Sequence, residues 1–139
     1  MTEESKNRDL PLILVVDDSP ESIDMLVGIL KDSYKIKVAK NGQRALEIAQ
    51  SKPSPELILL DIFMPGMDGY EVCRRLKADP STERIPIIFA TGMEDDGNEE
   101  TGLQLGADDY VAKPFSAAIV KKRIATQLEL SFYRSHHGA

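Results

Sequence analysis

Blocks of hydrophobic and polar positions alternate along the chain and predict strands and helices in turn. Nearly continuous apolar runs cover residues 10–16, 56–61 and 85–91. Short runs of this kind are typical of strands that are buried on both faces of a parallel sheet. Residues 34–39 differ, because lysines alternate with apolar residues there. That pattern predicts an edge strand whose lysines protect it against pairing with other chains.

Helical patterns lie between these strands. Ser19 followed by Pro20 predicts the start of the first helix, because serine is a favourable N-cap and proline fits the first helical position. A second helix follows Asn41, and a third is predicted from about 68 to 78. The fourth lies within 92–106, where four glycines predict a short or frayed helix.

The C-terminal part continues the alternation with a short strand at 109–112 and a last helix. The apolar stripe of that helix comprises Ala117, Val120, Ile124 and Leu128. We expect a disordered tail at 1–9, one domain at 10–132, and at 133–139 either a C-terminal tail or the start of a linker to a further module. Five strands alternating with five helices predict an α/β fold, a doubly wound five-stranded parallel sheet with helices on both faces.

Composition narrows the classes of protein. The 139 residues, 42% of them hydrophobic, suit one domain with its own core. A net charge of −6 argues against direct binding to nucleic acid. No apolar run approaches the roughly 18–20 residues that cross a membrane, and no secretory signal is visible. The single cysteine, Cys73, is expected in the core and excludes an internal disulfide. We therefore expect a cytoplasmic protein with no membrane contact.

Polar side chains that can carry chemistry follow the predicted strands. Asp17 and Asp18 follow the first strand and Asp61 ends the third; Thr91 ends the fourth and Lys113 follows the fifth. Ligands of doubly wound sheets bind beyond these carboxyl ends, so the fold should bring the five residues together. Clustered carboxylates need a cation, and oxygen ligands suit Mg²⁺. A carboxylate beside Mg²⁺ can act as the nucleophile in phosphoryl transfer.

Four segments together resemble the receiver domains of two-component response regulators, the chemotaxis-regulator family. They are Asp17-Asp18, LLDIFMPGMDG, FATG and DDYVAKPF. Each is weak evidence alone, but the four in this order at strand ends are specific. The resemblance covers about residues 10–130. It implies the flavodoxin-like strand order 2-1-3-4-5 and a signalling switch rather than an enzyme.

The resemblance also assigns roles to residues around the predicted site. Asp61 would be the phosphoacceptor. Asp17, Asp18, Asp61 and the backbone carbonyl of Phe63 would bind Mg²⁺, with Mn²⁺ as the alternative ion. The bulky Phe63, like Met93 on the other flank, should restrict water and slow the hydrolysis of the acyl phosphate.

Three further residues would complete the switch. Lys113 would hold Asp61 in the resting state and later contact the phosphoryl oxygens, and Thr91 would bond to one of them. Tyr110 resembles the switch aromatic that swings inward, although a half-buried packing tyrosine is the alternative interpretation. The resemblance also implies a cis peptide bond before Pro114.

A histidine kinase or a histidine phosphotransfer protein is the implied phosphoryl donor. An effector domain or downstream protein would bind the surface formed by the predicted fourth helix (within 92–106), the fifth strand and the fifth, last helix. The same surface is a candidate dimer interface. Two other functions stay open: a Mg²⁺-dependent phosphatase with an aspartyl nucleophile, and a docking module that is never phosphorylated. Such phosphatases usually carry Asp-x-Asp after the first strand, whereas this chain has Asp17-Asp18-Ser19, and neither glycine-rich nucleotide motif is present.

Overall fold

The computed structural model describes residues 10–92 and 104–137, with side chains described as far as residue 134. The predicted tail at 1–9, Met93 and most of the fourth predicted helix lie outside these ranges. The five strands, β1 to β5 in chain order, are Leu12–Val16, Lys35–Ala39, Leu57–Asp61, Ile87–Gly92 and Asp109–Lys113. The helices of the described residues, α1 to α4, are Pro20–Leu30, Gly42–Gln50, Gly69–Ala78 and Ala117–His137.

The strands form one parallel sheet in the order β2-β1-β3-β4-β5. This confirms the doubly wound, flavodoxin-like fold and the edge position of β2. The described residues form four helices, because most of the fourth predicted helix lies outside the described ranges. The direction of winding changes between β1 and β3, which are neighbours in the sheet. Asp17 and Asp18, directly after β1, therefore lie at the same edge as Asp61 at the end of β3.

Both faces of the sheet carry a hydrophobic core. Alternate residues of β1 and β3, such as Leu14 and Leu60, pack with α2 and α3, while Val15 and Leu59 pack with α1 and α4. All ten residues of these two strands are buried, as continuous apolar runs predict. Cys73 of α3 is buried in the core between this helix and the sheet.

Side-chain caps begin the first three helices. Ser19, Asn41 and Asp68 each accept a backbone N–H three residues further on, from Ser22, Arg44 and Glu71 respectively. Each cap satisfies an amide that has no partner within its helix. The caps therefore fix where each helix leaves the edge of the sheet that carries the acidic residues.

The last helix, α4, differs in part from its predicted pattern. Val120 and Ile124 are buried as expected, but Ala117 is exposed at the start of the helix. Gln127 is buried and donates to the backbone carbonyl of Asp108 at 3.4 Å. The helix continues through residue 137. Among the described residues, no helix is both long enough and apolar enough to cross a membrane.

Candidate functional site

Three carboxylates meet beyond the ends of β1 and β3. One oxygen from each of Asp17, Asp18 and Asp61 lies within 4.8 Å of the other two. Asp17 and Asp61 are only 1% and 6% exposed, whereas Asp18 is open to solvent. The backbone N–H of Ser19 donates to Asp17 Oδ1 at 2.9 Å, which holds that carboxylate toward the centre of the cluster.

The ammonium group of Lys113 contacts two of these carboxylates. Its Nζ lies 3.0 Å from Asp17 Oδ2 and 3.4 Å from Asp61 Oδ1. The resemblance predicted the contact with Asp61, but the shorter ion pair, with Asp17, was not anticipated. Lys113 is the last residue of β5, and the peptide bond to Pro114 is cis, as the resemblance implies.

The charges of this group of residues are not balanced by Lys113 alone. Burial, followed by the nearby charge of Asp17, raises the pKa of Asp61 to about 6, and Lys113 offsets only part of this rise. Burial on its own would lower the pKa of Lys113, but its contact with Asp17 and the charge of Asp61 outweigh burial and leave that pKa raised. The site therefore favours the addition of positive charge.

The donor atoms of the cluster indicate which kind of ion it suits, because Asp17, Asp18 and Asp61 offer only carboxylate oxygens. Asp17 Oδ2 is buried and already forms the 3.0 Å ion pair with Lys113 Nζ. A buried carboxylate oxygen of this kind is costly unless it is paired or coordinates a metal. Oxygen donors alone suit Mg²⁺ better than softer metals. The three carboxylates thus fit a magnesium ion.

Thr91 and Tyr110 lie on the neighbouring strands β4 and β5. The Thr91 hydroxyl donates to the carbonyl of Gly92 at 3.3 Å. Tyr110 is half-buried, and its ring packs on Phe89 with centroids 5.6 Å apart. Phe89 also meets Tyr70 of α3 edge-on at 5.4 Å. This half-buried packing, on the same strand as Lys113, does not distinguish a switch tyrosine from a packing tyrosine.

The loop after Asp61 brings backbone close to the site. The Phe63 side chain is 53% exposed, and Gly66 turns the chain with a φ of 79°. Gly69 then donates its N–H to the carbonyl of Ile62 at 2.7 Å. A β-carbon at Gly69 would collide with the Asp61 carbonyl and lie 2.8 Å from Ile62 Cα. The helical pattern predicted from about 68 to 78 includes Gly69 at its start but does not reveal this close approach; the available signal is a glycine directly after the N-cap.

A doubly wound parallel sheet with an acidic cluster and a lysine at its carboxyl edge defines the class of protein. The chain belongs to the response regulator receiver domain family, whose family model matches residues 13–125. It is therefore a receiver domain of two-component signalling.

Known relatives agree with this assignment. The chain is 48% identical over 117 residues to a probable cyclic di-GMP phosphodiesterase of Vibrio cholerae serotype O1, covering 84% of this chain and 26% of that protein. It is 40% identical over 113 residues to the response regulator PleD of Caulobacter vibrioides, covering 81% of this chain and 25% of that protein. The chain thus spans about a quarter of the length of these two relatives.

A solved structure is similar over nearly its whole length. It is the receiver domain of the sensor histidine kinase PA1611 from Pseudomonas aeruginosa PAO1, with a magnesium ion coordinated in the active-site cleft. The TM-score is 0.78 at 30% sequence identity, and the match covers 86% of this chain and 98% of that one.

Proposed function

We propose that this receiver domain is a phosphoacceptor switch that takes a phosphoryl group onto Asp61. The observation that carries the proposal is the cluster of Asp17, Asp18 and Asp61 in contact with Lys113 at the carboxyl edge of the sheet. The donor would be a phosphohistidine of a histidine kinase or of a histidine phosphotransfer protein. An effector domain or a separate downstream protein would read the result.

In the transfer, an oxygen of the Asp61 carboxylate attacks the phosphorus atom. The P–N bond to the donor histidine breaks as the new P–O bond forms, and the histidine nitrogen keeps the electron pair and later takes up a proton. Asp17, Asp18, Asp61 and the Phe63 carbonyl would hold Mg²⁺, which neutralises charge on the phosphoryl oxygens when bound. Mn²⁺ would serve the same oxygen ligands.

Lys113 and Thr91 would stabilise the product. The Lys113 ammonium, which lies 3.4 Å from Asp61 in this structure, would shift its contact to a phosphoryl oxygen. The Thr91 hydroxyl would exchange its bond to Gly92 for a bond to another phosphoryl oxygen. The added charge of about −2 supplies the free energy for these movements.

The movement of Thr91 would release the rearrangement of Tyr110. Tyr110 lies one strand away on β5, where its ring packs on Phe89. Its reorientation would alter the surface formed by β5, the start of α4 and the segment before β5, shifting a pre-existing equilibrium between two surfaces. An effector, or a second copy of the domain, would bind the phosphorylated surface more tightly.

The test is phosphorylation with a small donor. Incubation with acetyl phosphate and Mg²⁺ should add one phosphoryl group to each chain, seen by intact mass, and Asp61→Asn should add none. Lys113→Ala should retain metal binding but lose most of the conformational response to beryllofluoride.

A parallel incubation of the chain with Mg²⁺ and a phosphate ester, together with the acetyl phosphate experiment, separates the other functions. Turnover of a phosphate ester by the unmodified chain would favour an aspartyl-nucleophile phosphatase, and failure to accept phosphoryl under any of these conditions would favour a docking module. Modification of Asp61→Asn at the same stoichiometry would overturn the assignment of Asp61.

A further inference from the structure

One side of this acidic molecule carries an excess of positive charge. Residues 34–52, which hold β2, α2 and their flanking turns, contain five basic residues and one acidic residue, although the chain has a net charge of −6. We call these five basic residues the basic edge: Lys35, Lys37, Lys40, Arg44 and Lys52. The one acidic residue is already engaged, because Glu47 Oε1 lies 3.2 Å from Arg44 Nη1.

Three lysines of the basic edge, two on β2 and one directly after it, are available for a ligand. Among the described residues, no ion pair involves Lys35, Lys37 or Lys40. Lys35 and Lys37 share one face of the sheet, since side chains alternate along a strand. Lys37, Arg44 and Lys52 line a cavity of about 490 Å³ between β2 and α2.

The outer edge of β2 also offers backbone groups that pair with no other strand in the described part of the chain. β2 is the outermost strand on this side of the sheet. Lys35 N–H donates to Pro11 O at 2.9 Å, and Ala39 O accepts from Asp17 N–H at 3.1 Å, so these residues face β1. Because backbone direction alternates along a strand, Ile36 turns its N–H and carbonyl toward the outer edge. An exposed strand edge of this kind can pair with an extended peptide.

We propose that the basic edge binds an extended acidic segment of a partner protein. The segment would add to the sheet beside β2, with carboxylates at alternate positions about 7 Å apart facing Lys35 and Lys37. Arg44 and Lys52 would contact a further carboxylate at the cavity. None of the five basic residues belongs to the Asp61 site, so the proposal does not depend on the proposed function.

The charge of the rest of the molecule favours a short ligand over a long polyanion. All but one of the 23 acidic residues lie outside residues 34–52. A nucleic acid or an anionic membrane would extend past the basic edge and meet this negative potential. A short peptide would touch the basic edge alone.

The experiment is a titration of the ¹⁵N-labelled chain with a short peptide in which Glu alternates with Thr. Amide shifts should concentrate in residues 34–52. The variant K35Q/K37Q should weaken binding about ten-fold, as expected for the loss of two surface ionic contacts. The matched control K121Q/K122Q, which removes two exposed lysines from α4, should leave the affinity nearly unchanged.

Several results would overturn the proposal. Equal weakening of peptide binding by both double variants would do so, as would amide shifts spread over the whole surface. Equal binding of a peptide with the same Glu residues in one block would exclude pairing with the strand. Tighter binding of a short DNA duplex or of anionic vesicles would exclude a short peptide as the preferred ligand. Thermal unfolding checks that each variant folds. If K35Q/K37Q fails that check, K40Q/R44Q takes its place, with the same expected loss.

Discussion

The burial of Asp61 should make the stability of the domain depend on pH. Its pKa of about 6 exceeds the ordinary value of 3.8, chiefly because the carboxyl is buried and then because Asp17 is charged. An acid with a raised pKa in the folded state favours folding while it is protonated, and the advantage is lost as pH rises through about 6. The ionised carboxylate therefore lowers the free energy of unfolding at neutral pH.

Asp61→Asn should remove this destabilisation of the folded state. In chelator at pH 7, the free energy of unfolding should rise by about 1–3 kcal/mol, since each pKa unit is worth about 1.4 kcal/mol. Near pH 4 the gain should nearly vanish. Urea unfolding across this pH range checks the prediction, with the exposed Asp32→Asn as control. An equal gain at both pH values would contradict the electrostatic explanation.

Phe63 provides a prediction about the lifetime of the acyl phosphate. Its side chain is exposed two residues after Asp61, where it should hinder the approach of water. In Phe63→Asn the phosphorylated domain should lose its phosphoryl group several-fold faster, as measured by the decay of intact-mass signal. Phe132→Asn, an identical change on α4, should have no effect. A lifetime that is unchanged in Phe63→Asn would exclude this role.

At the scale of elements, the approach of α3 to β3 depends on a glycine. A β-carbon at Gly69 would overlap the carbonyl of Asp61, which is backbone and has little room to move. Gly69→Ala should therefore destabilise the domain by about 1–3 kcal/mol, as overpacking does, although alanine is the better helix former. It should also weaken phosphorylation, because the Asp61 backbone must shift.

Gly28 in α1 is the matched control. An added β-carbon there meets nothing within 4 Å, so Gly28→Ala should stabilise the domain by up to about 1 kcal/mol. Thermal and urea unfolding of the two variants should thus give opposite signs. A Gly69→Ala variant as stable as the parent would show that α3 can move away from β3 without cost.

The elements also show how far the sequence determines the site. Apolar runs that end in Asp17 and Asp61 were sufficient to predict buried parallel strands and a carboxylate cluster at their carboxyl ends, because parallel strands end at one edge. The strand order that makes β1 and β3 neighbours came from the family resemblance. The shorter contact of Lys113 with Asp17 was not predictable, since it depends on side-chain conformation after β5 is in place. The burial of Gln127 was not predicted for a similar reason, because helical periodicity does not show which backbone carbonyl a helix residue contacts in the folded chain.

For the whole molecule, metal binding and folding should be coupled. The oxygens of Asp17, Asp18 and Asp61 come together only when β1 and β3 are paired, so the unfolded chain has no equivalent site. An ion that binds only the folded state stabilises it, by about 2.7 kcal/mol at one hundred times its dissociation constant. At pH 7.5, Mg²⁺ at such an excess should raise the melting temperature by about 5–10 °C for a domain of this size.

The increase should depend on the ionisation of Asp61. As pH falls below about 6, protons compete with Mg²⁺ for its carboxylate, so the shift in melting temperature should shrink. Asp18→Asn removes an exposed member of the cluster and should abolish most of the increase at every pH, whereas the distant Asp32→Asn should keep it. Differential scanning calorimetry at matched ionic strength measures the shift. An equal shift with NaCl, or an undiminished one in Asp18→Asn, would show that the carboxylates do not bind the ion together.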